Sequence, residues 1–266
     1  MDIGFIGIGN MGGGIVKGYL AHDEEAKDRL FAFSRTKDRL EAFCRENKVT
    51  PCGSIEELVK KCRIIVLAVK PKDFPRVLAR VAPEFSPEKA IVSIAAGITM
   101  EKMEEVLGKD AMIIRTMPNT PVLVGEGMTS LSRNTNVTDQ LFDKVLGIFR
   151  SLGRAEEVPE EMIHCVVGVS GSSPAYTYMY IDSLARAAEK NGMEYETAIE
   201  FAAQAVLGAA KMVLETGESP ERLRINVCSP GGTTIEAVNA LYDNGFMDNV
   251  AEGFQAALEK SKVMSK

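Results

Sequence analysis

Gly7-Ile8-Gly9-Asn10-Met11-Gly12 sets three glycines at the spacing G-x-G-x-x-G, between the short apolar stretch Asp2-Ile3-Gly4-Phe5-Ile6 and a helix-like run from Ile15 to Leu20. A strand, this turn and a helix make the phosphate-binding corner of a dinucleotide fold. Gly7 permits the tight turn, Gly9 lets the backbone approach a pyrophosphate, and Gly12 lets the helix pack closely on the sheet. The free N–H groups of the first helical turn, around Asn10 and Met11, then face the anion. Beyond Gly12, Ser34-Arg35-Thr36-Lys37 occupies the position that tells the two nicotinamide cofactors apart. An Asp or Glu there would accept from a ribose 2′-hydroxyl and repel a 2′-phosphate. The chain instead offers hydroxyls around Arg35, which could meet a phosphate with two N–H bonds. NADP is therefore expected over NAD, with Arg35 as a solvated loop charge the alternative.

A third stretch with chemical potential lies far downstream, at Asn226-Val227-Cys228-Ser229-Pro230-Gly231-Gly232-Thr233-Thr234-Ile235-Glu236. Thr233-x-x-Glu236 reads as a capping box that starts a helix, with Gly231-Gly232 opening backbone access to its amino end. Free N–H groups there make a seat for a small carboxylate. A purely structural cap is the alternative, but two glycines beside two hydroxyls are more than a cap requires.

The elements that must hold these residues follow from the hydrophobic pattern. Leu30–Phe33, Val49–Cys52, Ile64–Val69, Ala90–Ile94, Met112–Arg115, Thr129–Leu131 and Ala155–Val158 read as further strands, alternating with helices such as Arg39–Asn47 and Asp139–Ser151. Ser54 looks like the cap of another helix. The six apolar residues Ile64–Val69 suit a strand buried on both faces of a parallel sheet. That strand ends at Ala68-Val69-Lys70-Pro71, where Pro71 forces the preceding residue out of helical geometry. At the carboxyl end of a central strand the turn borders the ligand crevice, and Lys70 either reaches the cofactor or points to solvent. Ala95-Ala96-Gly97 is a small-residue turn where a flat ring could approach backbone. Met117-Pro118-Asn119-Thr120-Pro121 is a stiff loop whose amide, Asn119, either contacts a ligand or serves the turn.

These signals give an α/β protein: an N-terminal Rossmann-type doubly wound parallel sheet over residues 1–160, then an all-α part over 161–266. In the helical part Ser173 is expected as N-cap with Pro174 at the first helical position. Tyr176 and Tyr180 share one face of that helix, as core or interface residues do. The next helix, Tyr195–Thr216, is apolar on nearly every face, so it needs protein on all sides; a symmetric dimer is the simplest cover. Phe246–Val263 is an amphipathic terminal helix.

Composition narrows the function classes. A net charge of −6 and a pI near 5.2 argue against broad nucleic-acid or membrane-surface binding. The longest apolar run, Ile199–Leu214, is broken by Glu200, Gln204 and Lys211 and is shorter than the roughly 20 residues a membrane span needs. No signal peptide is expected. Five cysteines form no C-x-x-C pair and only His22 and His164 are available, so neither a disulfide framework nor a metal site is expected. The expected compartment is a reducing cytoplasm.

With these stretches in view, the chain resembles the pyrroline-5-carboxylate reductase family along nearly its whole length. The resemblance rests on Gly7–Gly12, Ala68–Pro71, Ala95–Gly97, Met117–Pro121, Gly171-Ser172-Ser173-Pro174-Ala175-Tyr176 and Ser229–Thr234. The last two blocks are specific to the family; Ser173 departs from a frequent glycine. The resemblance implies that NADPH, with NADH as an alternative, delivers hydride to the C=N carbon of 1-pyrroline-5-carboxylate, giving L-proline. It implies cofactor contacts at Gly7, Gly9, Asn10, Met11, Gly12, Ser34, Arg35, Ala68, Val69, Lys70, Pro71, Ala96, Gly97 and Asn119. It places substrate contacts at Asn226, Val227, Ser229, Gly231, Gly232 and Thr233, with Thr234 hydrogen-bonded to the ring nitrogen. It also implies homodimers through C-terminal helices, often assembled into larger rings.

The residues agree with imine chemistry on independent grounds. A carbonyl reduction leaves an alkoxide and wants a strong proton donor, whereas an imine can arrive protonated, so that positioning suffices. The first lysine after Pro174 is Lys190, at the far end of its helix, which disfavours a β-hydroxyacid dehydrogenase of similar plan. A non-catalytic nucleotide sensor would not need a second small-acid seat at Gly231–Thr234.

Overall fold

The apolar runs of the first half fold as strands whose side chains point alternately to two covered faces. Residues 1–265 are described in a computed structural model, which divides the chain into two units: Met1–Gly171 together with the stretch from Ala257 onward, and Ser172–Ala256. In the first unit, β1 (Ile3–Ile6), β2 (Leu30–Phe33), β3 (Thr50–Pro51), β4 (Ile64–Leu67), β5 (Ala90–Ser93), β6 (Met112–Met117), β7 (Gly127–Arg133) and β8 (Gly153–Glu157) form one sheet in the order 3-2-1-4-5-6-7-8. Its helices are α1 (Asn10–His22), α2 (Lys37–Asn47), α3 (Ile55–Lys61), α4 (Phe74–Val81), α5 (Met100–Leu107) and α6 (Asp139–Arg150).

Ile64 and Val66 enter one core with Ile3, Phe5, Ile15 and Phe142, while Ile65 and Leu67 enter the other with Ile6, Leu58, Phe74 and Ile113. A strand that buries both its odd and its even residues must be apolar throughout, which explains the Ile64–Leu67 run. Each such fully buried Ile, Leu or Phe contributes about 1.5–3 kcal/mol. Exposed ion pairs such as Arg80 with Glu56 contribute about 0–1 kcal/mol each. The sheet core therefore fixes the fold, and the surface charges do not. Ser54 caps α3 as expected, its Oγ accepting from the Glu57 N–H at 3.1 Å.

The expected doubly wound parallel sheet is present, with one pairing that runs the other way: β6 and β7 are antiparallel. The link between them is only a short 3-10 turn, Thr120–Val124, and a parallel pair would need a crossover of a dozen or more residues. β7 is also longer than its sequence suggested. β8 returns to parallel pairing because α6 supplies the crossover. β7 and β8 meet at a tight point, since a Cβ on Gly153, at φ +134°, would lie 2.2 Å from the Gly127 carbonyl oxygen.

After β8 the chain is helical: α7 (Ile163–Val166) widens into a π-helical turn over Val167–Gly171, followed by α8 (Ser173–Glu189), α9 (Tyr195–Thr216), α10 (Pro220–Val227), α11 (Thr233–Asp243) and α12 (Phe246–Met264). Ser173 is not the N-cap of α8. Ser172 stands there in helical conformation without a side-chain cap bond, because the π turn runs almost directly into the helix and leaves no extended residue for a cap. Within the helical unit α8 and α9 pack side by side, and Tyr176 donates to the Gly253 carbonyl at 3.3 Å while Tyr180 meets the Phe246 ring. Helix α9 has 22 residues and is long and apolar enough to cross a membrane by length and composition, so the apolar run 199–214 understated it. Only Ala198 and Ala202 of α9 are buried.

The last turns of α12 belong to the sheet unit. Leu258 and Ser261 are buried, His164 Nδ1 lies 2.9 Å from Ser261 Oγ, and Met264 rests on the turn after β5. Nearby, buried Arg115 pairs with Glu160 at 2.8 Å, and the same Glu160 oxygen accepts the Met100 N–H at 2.9 Å.

Candidate functional site

A doubly wound sheet binds ligands outside the carboxyl ends of its strands, where the order reverses. Here the reversal falls between β1 and β4, neighbours in the sheet whose connections leave in opposite directions. Gly7–Gly12 follow β1, Ser34 and Arg35 follow β2, Ala68–Pro71 follow β4, Ala96 and Gly97 follow β5, and Asn119 follows β6. The predicted cofactor residues thus gather along one edge of five adjacent strands.

The glycines differ in what requires them. Gly7 has φ +104° and a Cβ there would sit 2.5 Å from the Ala68 carbonyl oxygen; a Cβ on Gly12 would sit 2.3 Å from the Gly7 carbonyl oxygen. Gly7 is dictated by its positive φ and by the close approach of the turn after β4, and Gly12 by packing of the turn on itself. At Gly9 a Cβ would meet nothing within 4 Å, so this exposed residue leaves an open cradle in front of the helix. Gly9 is the N-cap of α1 with no side-chain cap bond, and no acidic residue stands in the first turn. The positive end of α1 is therefore unneutralised and its N–H groups are free for an anion, which is what a pyrophosphate needs. A groove of about 410 Å³ beside it, between α1 and α2, is lined by Gly9, Asn10, Gly13, Phe43 and the Lys17–Glu46 ion pair. Most of that groove lies off the strand ends.

The remaining residues are placed as follows. Arg35 is exposed and its Nη1 lies 3.3 Å from Asp73 Oδ1, an oxygen that also takes Arg76 Nη2 at 3.3 Å. Asp73 and Arg76 escaped sequence reasoning, because nothing local ties the start of α4 to the end of β2; the Pro71 turn was the only pointer. Lys70 is exposed at the start of a 3-10 turn. Gly97 is buried at φ +79°, and a Cβ there would lie 2.9 Å from Met264 Cβ and carbonyl oxygen. The chain's own terminal helix thus accounts for this glycine, while Ala96 stays half-buried. Asn119 is buried, its Nδ2 donating to the Ser170 carbonyl at 3.0 Å and its Oδ1 accepting the Met128 N–H at 2.8 Å. The amide clamps the loop between β6 and β7, with one N–H left over.

In the helical unit the turn Ser229–Gly232 is closed by the Gly232 N–H donating to the Ser229 carbonyl at 3.0 Å, with Gly231 at φ +68°. The expected capping box is not formed. Gly232, extended at φ −84° and ψ 167°, is the N-cap, and Thr233 and Thr234 are already helical. A glycine reaches the extended cap conformation as readily as a threonine and starts the helix one residue earlier. No side chain caps α11, so the first-turn N–H groups stay available to a carboxylate. Asn226, Val227, Ser229, Gly231 and Thr233 are exposed, and Thr234 is half-buried. Asn226 Nδ2 donates to Glu218 at 3.2 Å. Among the described residues no group of His, Cys, Asp and Glu could hold a metal ion.

Comparison with known proteins matches both parts. Residues 160–264 fit the family model for pyrroline-5-carboxylate reductase dimerisation, and residues 2–97 fit that for NADP oxidoreductase, coenzyme F420-dependent. The chain is 46% identical to the pyrroline-5-carboxylate reductase of Escherichia coli K12, over 99% of this chain and 98% of that one. Among solved structures it resembles a Plasmodium falciparum pyrroline carboxylate reductase with NADP bound, with a TM-score of 0.91 at 34% identity over 100% and 98% of the two chains. A pyrroline-5-carboxylate reductase from Coxiella burnetii gives a TM-score of 0.92, also at 34% identity and with the same coverage.

Proposed function

The chain belongs to the pyrroline-5-carboxylate reductase family, and from that membership we propose how its own residues divide the reaction. It is an NADPH-dependent oxidoreductase acting on a cyclic imine, reducing 1-pyrroline-5-carboxylate to L-proline in the last step of proline biosynthesis. The full-length 46% identity carries this conclusion. NADPH, when bound, supplies the hydride that the C=N carbon accepts.

In this reading residues 1–160 bind the dinucleotide and residues 161–266 bind the acid and dimerise. The uncapped end of α1, with Gly7, Gly9, Asn10, Met11 and Gly12, holds the pyrophosphate; the open cradle at Gly9 supports this. Ser34 and Arg35 take the adenosine 2′-phosphate. Ala68, Val69, Lys70, Pro71, Ala96 and Gly97 border the same crevice. Asn119 keeps its loop in place through its two bonds and has one N–H for a ligand. The uncapped end of α11 seats the substrate carboxylate on N–H groups, with Gly231 and Gly232 leaving it uncovered and Asn226, Val227, Ser229 and Thr233 around it. Thr234 Oγ1 hydrogen-bonds the ring nitrogen and fixes the ring's orientation. A threonine hydroxyl is a poor acid, and an imine that arrives protonated requires none.

The chain forms a homo-oligomer through its helical part. Assembly of dimers into a ring, absence of membrane attachment and a cytoplasmic location complete the proposal. Following NADPH absorbance with and without 1-pyrroline-5-carboxylate tests the activity. Oxidation that depends on the imine is the expected result; binding without oxidation would favour a sensor.

A further inference from the structure

The dinucleotide fold usually reads the adenosine ribose with one residue at the end of its second strand: a carboxylate for a 2′-hydroxyl or an arginine for a 2′-phosphate. At that position this chain has Arg35 and no acid. Yet the fold brings a carboxylate to the same place from another element, the turn between β4 and α4. Asp73 Oδ1 lies 3.3 Å from both Arg35 Nη1 and Arg76 Nη2. The Asp73 side chain is only 16% exposed, whereas those of Arg35 and Arg76 are 71% and 64% exposed. A sheltered acceptor is thus flanked by two guanidinium groups that face solvent.

Charge-assisted N–H···O bonds at their best are about 2.7–2.9 Å long, so both contacts are loose enough to be exchanged for a ligand. The second oxygen, Oδ2, accepts from no donor among the described residues. Two guanidinium groups against one carboxylate leave a local excess of one positive charge, which favours a dianionic phosphate monoester. The same carboxylate can accept from a ribose hydroxyl.

We propose that Asp73 and Arg76, together with Arg35, form an adenosine-ribose site that reads both cofactors. Arg35 and Arg76 turn from Asp73 to a 2′-phosphate, and Asp73 accepts from a 2′-hydroxyl when no phosphate is present. Asp73 is then the determinant that gives NADH a foothold and limits the preference for NADPH. The inference rests on the reductase reading for its cofactor and adds residues from outside the usual strand end.

Steady-state kinetics of the full chain with 1-pyrroline-5-carboxylate, varying NADPH and NADH in turn, test it alongside calorimetric titration with adenosine 2′,5′-bisphosphate and with ADP. Asp73→Asn should raise KM for NADH about tenfold, with KM for NADPH unchanged or lowered; Arg76→Ala should weaken NADPH and the bisphosphate about tenfold, with NADH and ADP little changed. Equal effects on both cofactors, or a cofactor preference within twofold of the parent in both variants, would overturn the site. Should the parent oxidise neither cofactor, the reductase reading fails, and the titrations with the two adenosine phosphates still decide the roles of Asp73 and Arg76.

Discussion

On the proposed assignment, a single hydroxyl illustrates how little the chemistry asks of the protein. Thr234 lies in the first turn of α11, beside N–H groups that no side chain occupies. Thr234→Ala should lower turnover about tenfold to a hundredfold while leaving NADPH affinity within twofold, because it removes orientation of the imine and not the dinucleotide seat. Kinetics at saturating NADPH, with cofactor affinity from fluorescence titration, check this; a matching loss of cofactor affinity would contradict the assignment. Arg35→Ala should raise KM for NADPH more than KM for NADH, since only the former carries a 2′-phosphate for the guanidinium to meet. Steady-state KM values for the two cofactors decide it, and an equal rise would place Arg35 outside the phosphate site.

Elements follow local pattern well and long-range contact poorly. Gly7–Gly12, the Ile64–Val69 strand (formed over Ile64–Leu67) and the Ser54 cap were legible because each depends on neighbours in sequence. The direction of β7 was not, since it depends on the brevity of the Thr120–Val124 link more than on β7's own residues. Both misplaced caps, Ser173 and Thr233, missed by one residue, because backbone angles of the preceding residue decide where a helix begins. Asp73 meets Arg35, and Met264 meets Gly97, across separations no motif records. The terminal turns of α12 carry a pH response of their own. Burial first, then the charges of Arg115 and Lys262, hold the His164 imidazole below its ordinary 6.5, with Glu160 opposing them. The unfolded chain therefore takes up this proton first as pH falls below about 6.5, so stability declines until the folded-state value is passed and then levels off. Urea midpoints between pH 8 and 5 should show this decline, and His164→Gln should flatten it. An unchanged slope in the variant would remove His164 from the account.

At the scale of the whole chain, the helical unit cannot cover itself. Phe201, Leu207 and Leu214 of α9 are 68%, 50% and 54% exposed, and Met179 of α8 is 69% exposed. Apolar surface of that kind in a homo-oligomer belongs between copies. Phe201→Glu should shift the chain toward monomer in light scattering after size-exclusion chromatography, at protein concentrations where the parent remains associated. A variant that keeps the parent's mass would put Phe201 outside the interface. A more exacting consequence comes from the tail of α12. The sheet unit is made of two separate stretches, Met1–Gly171 and the one from Ala257 onward, with Ser172–Ala256 between them in the chain. Until all of Ser172–Ala256 has been made, Gly97 lacks Met264 and His164 lacks Ser261. The unit that is synthesised first is thus completed only after the other has been made.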